Sequence, residues 1–171
     1  MRNIFLFIFL CNITFNLSAQ KTTAIKCGAV LDVRTGQLNK NVTIVVKNNK
    51  IESISPAGTM VKIKADTVID LSAYTILPGL IDCHTHVLLQ GDITSEDYDV
   101  QLLKESIPYR TIRAVRSCSI ALQNGFTTIR DLGTEGAGYA DVDLKKAIKN
   151  GEMPGPRMFV STLAINTTGH Y

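Results

Sequence analysis

Charge of one sign is in short supply. Lys and Arg number 18 against 15 Asp and Glu, a formal net charge of +3 over 171 residues. The basic residues gather into no stripe, so the electrostatic footprint of a nucleic-acid binder is missing and no nucleic acid partner is expected. Long apolar runs are missing as well. Residues 4–10 form an unbroken one, but it is far shorter than the about twenty residues a spanning helix needs, so no stable membrane span is expected. There is no internal repeat and no low-complexity segment, and a chain 45% hydrophobic and 19% charged is ordinary globular material, not a disordered one. Oligomerisation is left open. Histidine is scarce, at three residues, which makes the position of each informative.

The first segment reads differently from the rest. Arg2 supplies a positive start, Ile4 to Leu10 an apolar centre, and Leu17-Ser18-Ala19 a small-residue ending before polar Gln20-Lys21. That order is a secretory signal peptide, so residues 1–19 are expected to be removed and the protein exported, to a periplasm or the outside. A lipoprotein alternative through Cys11 has bulky Phe9 and Leu10 standing against it. Cys27, Cys83 and Cys118 then remain, and an odd number cannot all pair. Cys83 is read as core packing, because it alternates with the positions that flank it.

Residues 20–75 are β-rich. Ala24–Val33, Val42–Lys47, Lys50–Ser55 and Thr67–Leu71 read as strands, with Arg34-Thr-Gly-Gln and Lys47-Asn-Asn-Lys as turns. Residues 76–171 change pattern. Ser106-Ile-Pro108 looks like a helix start, and Ile112, Val115, Ser119 and Leu122 follow at helical spacing until Gly125. Then come a strand, Phe126–Asp131, a glycine-bearing loop, a helix, Asp141–Asn150, and a strand, Arg157–Ala164. Strand and helix in alternation predict an α/β fold with a parallel sheet or barrel.

Two histidines stand one residue apart at the end of Leu77-Pro-Gly-Leu-Ile-Asp-Cys-His-Thr-His-Val87. On an extended strand alternate side chains share a face, so His84 and His86 point the same way and one ion can take both. Zinc would sit about 2.0 to 2.1 Å from each imidazole nitrogen. The plainer alternative is a strand that merely ends in histidines.

Taken in order, the β-rich layer, Leu77-Pro-Gly-Leu-Ile-Asp-Cys-His-Thr-His86, Gly125-Phe-Thr-Thr-Ile-Arg-Asp-Leu-Gly133, Gly155-Pro-Arg-Met-Phe-Val160 and Thr168-Gly-His170 resemble the metal-dependent amidohydrolase superfamily. The nearest likeness is to its imidazolonepropionase-like and Xaa-Pro or Xaa-Arg dipeptidase branch. The resemblance implies a (β/α)8 TIM-type barrel with its site at the C-terminal strand ends, preceded by a small β-sandwich layer. It implies His84 and His86 as ligands of a divalent metal, zinc foremost, with one or two ions in a whole enzyme. It also places His170 near substrate, although one glycine precedes it where the pattern has two. Asp131 matches a strand-end aspartate that either reaches the site or ties the following glycine loop. The implied reaction is hydrolysis of an amide or peptide C–N bond in a small molecule such as a dipeptide, or in a cyclic amide such as imidazolone. Metal-activated hydroxide would be the nucleophile, since zinc lowers the pKa of bound water from 15.7 to about 7. The bridging lysine, later histidines and catalytic aspartate of the family find no match here. Residues 76–171 have room for about three of eight strand–helix units, whereas a barrel takes about 250 residues. The chain is therefore expected to be the N-terminal part of a longer enzyme and inactive alone. The contrasting expectation is a non-catalytic remnant or binding module.

Overall fold

The computed structural model describes residues 21–58, 64–90, 95–165 and 167. The signal segment read over residues 1–19, and His170, lie outside the described residues. The chain divides into two compact units between Leu77 and Pro78.

The first unit is one mixed sheet in the order β3-β2-β1-β4, built from β1 (Thr22–Asp32), β2 (Gln37–Lys47), β3 (Lys50–Pro56) and β4 (Thr67–Ile76). β1 pairs antiparallel with β2 and parallel with β4. Both turns read from sequence close hairpins, with Gly36 at φ 73° and Asn48 at φ 58°, left-handed values that glycine and asparagine tolerate. Cys27, Val30, Val42 and Ile44 form its buried cluster. Alternation and pairing put Cys27, Val42 and Ile44 on one face, and Val30 joins them beyond the irregularity between Cys27 and Ala29. β4 runs five residues beyond the expected Leu71, to Ile76.

The second unit holds a parallel three-stranded sheet, β5 (Leu80–Thr85), β6 (Phe126–Asp131) and β7 (Arg157–Val160), in that order. Its helices are α1 (Ser95–Leu103), α2 (Ile107–Gln123) and α3 (Ala140–Asn150). α2 begins as the sequence suggests: the Ser106 hydroxyl accepts the Tyr109 N–H at 3.3 Å, and Pro108 lies in the first turn. α3 stops at Gly151 in the left-handed conformation.

The helical stripe that packs is not the one with the largest side chains. Arg110, Ala114 and Cys118 are buried along α2, while Ile112 is 72% exposed. Small residues let the helix approach closely, and the Cβ of Cys118 lies 3.3 Å from where a side chain at Gly155 would begin. The core of this unit gathers Ala114 and Cys118 with Val87, Leu88, Ile129, Ala140, Leu144 and Met158.

One element is new and two expectations are corrected. α1 has no signal in the sequence, because Tyr98, Val100, Leu102 and Leu103 make no apolar stripe. β7 ends at Val160, short of Ala164, since Thr162 takes φ 66° and breaks the extended run. Cys83 is exposed rather than in the core. β5 is an edge strand in the sheet order, and most of its residues are exposed, so alternation alone does not bury position 83.

Candidate metal centre

The ladder between β5 and β6 slips between Asp82 and Thr85, where two residues of β5 lack a regular partner. Such bulges re-aim side chains at strand ends. The disturbed backbone is satisfied locally: Asp82 Oδ1 accepts the His84 N–H at 3.0 Å, and the Arg130 side chain donates Nε–H to the Cys83 carbonyl at 2.8 Å. The Thr85 hydroxyl donates to the Arg130 carbonyl at 3.2 Å.

His84 and His86 come out of this strand end as neighbours. Their ring centroids are 5.4 Å apart with planes inclined at 64°. Two imidazoles sharing one zinc at about 2.1 Å in tetrahedral geometry have centroids roughly 5 Å apart, so the pair fits a single ion. His86 Nδ1 lies 3.1 Å from the Gly133 carbonyl and 3.3 Å from Glu135 Oε1. Among the described residues no third His, Cys, Asp or Glu joins them to make a group of three.

Asp131 is fully buried at the end of β6. Its Oδ2 accepts the Val87 N–H at 2.8 Å and its Oδ1 the Gly133 N–H at 3.2 Å. Of the two roles open to it in the sequence, these contacts are those of a tie between loops. Burial pushes its carboxyl above the ordinary range, and the two N–H donors pull part of the way back.

Arg110, also fully buried, does similar work from α2. It donates Nε–H to the Leu88 carbonyl at 3.1 Å and an Nη2 hydrogen to the Thr134 carbonyl at 3.1 Å, joining the loops after β5 and β6. Gln101 of α1 accepts the Gln90 N–H at 2.9 Å, which docks that helix on the same loop. Sequence reasoning missed Arg110, Gln101, Glu135 and Tyr98. For Glu135 a signal existed: it is the lone acidic residue of the glycine loop 133–138, at a strand's C-terminal end, where barrel sites form.

A cavity of about 620 Å³ in the first unit is lined by residues such as Lys26, Asn41 and Ser72. In the second unit, a cavity of about 470 Å³ is lined by His86 with Asp82, Gln90 and Ser117.

A parallel sheet whose strands alternate with helices is the way (β/α)8 barrel enzymes begin, and such barrels carry their sites at the C-terminal strand ends, where His84 and His86 lie. The Amidohydrolase family model matches residues 75–169, and the chain belongs to that family. It is 32% identical over 152 residues to ochratoxinase of Aspergillus niger, covering 88% of this chain and 30% of that protein. Over 57 residues it is 40% identical to imidazolonepropionase of Pseudomonas entomophila (strain L48), covering 33% of this chain and 14% of that protein. The crystal structure of a Xaa-Pro dipeptidase with bound methionine in its active site superposes with a TM-score of 0.74 at 29% identity, covering 87% of this chain and 35% of that one. The chain thus spans about a third of the length of ochratoxinase and of the Xaa-Pro dipeptidase, and the β5-β6-β7 unit matches the opening of the family's (β/α)8 barrel. The family's enzymes are generally metal-dependent hydrolases of C–N bonds acting on small molecules.

Proposed function

We propose that this chain forms the metal-binding opening of an exported hydrolase that cleaves amide or peptide C–N bonds, with His84 and His86 as two ligands of a zinc ion. The observation that carries this reading is the histidine pair, 5.4 Å apart at the bulged end of β5. When bound, the ion supplies a Lewis acid for the carbonyl oxygen and an acidified water. The protein's own contribution is orientation. Asp131 and Arg110 fix the two strand-end loops against each other, and the Gly133 carbonyl engages His86 Nδ1, which leaves Nε2 as the nitrogen that would hold an ion. His170 is proposed to contact substrate.

Dipeptides are the favoured substrate class, supported by the extent of the likeness to the Xaa-Pro dipeptidase, 87% of this chain. A cyclic amide is the second reading, supported by the 40% identity to imidazolonepropionase over the shorter stretch. Two imidazoles, with no third ligand among the described residues, hold a metal more weakly than a three- or four-ligand site, which supports the proposal that this chain is inactive alone. Residues 2–19 support export to a periplasm or beyond, with the mature chain starting at Gln20.

The test is zinc-loaded protein against Xaa-Pro dipeptides and an imidazolone-ring substrate. It is run for the 171-residue chain and for a chain extended by the remaining barrel strands. Hydrolysis by the extended chain alone, lost in His84→Ala and His86→Ala, is the expected result. Hydrolysis that survives both substitutions contradicts the assignment.

A further inference from the structure

We propose that Glu135 is a positioning residue for the His86 imidazole, holding Nδ1 so that Nε2 is the nitrogen offered to a metal. The inference rests on the reading of His86 as a ligand and extends it to a residue beyond the histidine pair.

The Gly133 carbonyl at 3.1 Å can only accept, so the hydrogen of that contact belongs to His86 Nδ1. Glu135 Oε1, 3.3 Å from the same nitrogen, faces the same hydrogen. A carboxylate there favours the Nδ1–H tautomer and keeps the ring from turning over, the arrangement by which ligating histidines are oriented from behind. Glu135 is itself restrained. The Tyr98 hydroxyl donates to its Oε2 at 2.6 Å, and only 13% of its side chain is exposed. Its backbone sits at φ 50°, a conformation that residues with side chains rarely adopt and that neighbouring structure must hold in place. α1, which carries Tyr98, is docked by the Gln101 contact to the Gln90 N–H, so the row Tyr98, Glu135, His86 runs from a fixed helix to the metal ligand.

The test uses the full chain labelled with ¹⁵N-histidine, whose three histidines can be assigned by substitution. Long-range proton–nitrogen spectra of the metal-free protein read the His86 tautomer, and a zinc titration reads affinity. The unsubstituted chain is expected to show the Nδ1–H form. Glu135→Ala is expected to give a tautomer mixture and a zinc dissociation constant raised about tenfold to a hundredfold. Glu135→Gln keeps an acceptor oxygen and is expected to restore the single tautomer, which a merely structural role would not produce. Tyr98→Phe is expected to shift the tautomer in the direction of Glu135→Ala by a smaller amount, and it decides the matter should Glu135→Ala fail to fold. An unchanged Nδ1–H tautomer in Glu135→Ala, or in Tyr98→Phe where that variant decides, overturns the proposal. Should the unsubstituted chain show the tautomer but take up no zinc, the metal reading fails while the positioning of His86 stands.

Discussion

The Asp131 carboxylate accepts the N–H of Val87 at 2.8 Å, so the residue next to His86 is held by the end of the neighbouring strand. The same carboxylate takes the Gly133 N–H, and Gly133 in turn faces the His86 ring. Asp131→Ala would leave two N–H groups without their acceptor in a buried setting. A loss of about 2 to 5 kcal/mol is expected, measurable by denaturant unfolding. Asp131→Asn keeps one acceptor oxygen and is expected to lose less.

Arg110 carries the corresponding link on the helix side. Arg110→Met preserves much of the apolar stem but strands the Leu88 and Thr134 carbonyls, and a destabilisation of about 2 to 4 kcal/mol is expected. Arg110→Lys retains the charge without the planar fork that reaches both carbonyls. It is expected to fall between the two in urea midpoint.

The cysteines should divide by burial. Burial, helped by the nearby Asp131 charge, pushes the Cys118 thiol up to about 11 from an ordinary 9.0, so it stays protonated and protected at neutral pH. Cys83 is exposed, and a maleimide should label it in the folded chain while Cys27 and Cys118 react only after unfolding. The Cys118 shift also has a pH consequence. Above 9.0 the unfolded chain gives up this proton while the folded one keeps it, so stability is fully present below 9.0 and declines as pH rises toward about 11. Cys118→Ala should flatten that part of the stability profile.

Gly79, just before β5, is a position where a side chain has no room. A Cβ there would run into the Thr127 side chain on the neighbouring strand, 2.7 Å from its Cβ and nearer still to its terminal atoms. Gly79→Ala is expected to cost about 1 to 3 kcal/mol. Adding Thr127→Ala should recover part of the loss in a double-mutant cycle.

Much of this was legible in the sequence. The hairpins announced themselves through Gly36 and Asn48, α2 through Ser106 and Pro108, and the closeness of the His84 and His86 rings through their spacing, because each depends on local chemistry. What was hidden depends on neighbours distant in the chain. Tyr98 and Glu135 are 37 residues apart, and Arg110 reaches carbonyls 22 and 24 residues away, so no periodicity reports them. Arg110 and Gln101 also look like surface residues until their partners are known. Cys83 misled because alternation says which face a side chain takes but not whether anything covers that face.

His84 and His86 are proposed to bind one ion together, and a zinc titration followed through the histidine nitrogens of the full chain is the decisive experiment. The expected result is that both rings respond in parallel with a single saturation curve, and that His84→Ala or His86→Ala abolishes the response of the ring that remains. Independent responses of the two rings, or none as zinc is raised to millimolar levels, would contradict it.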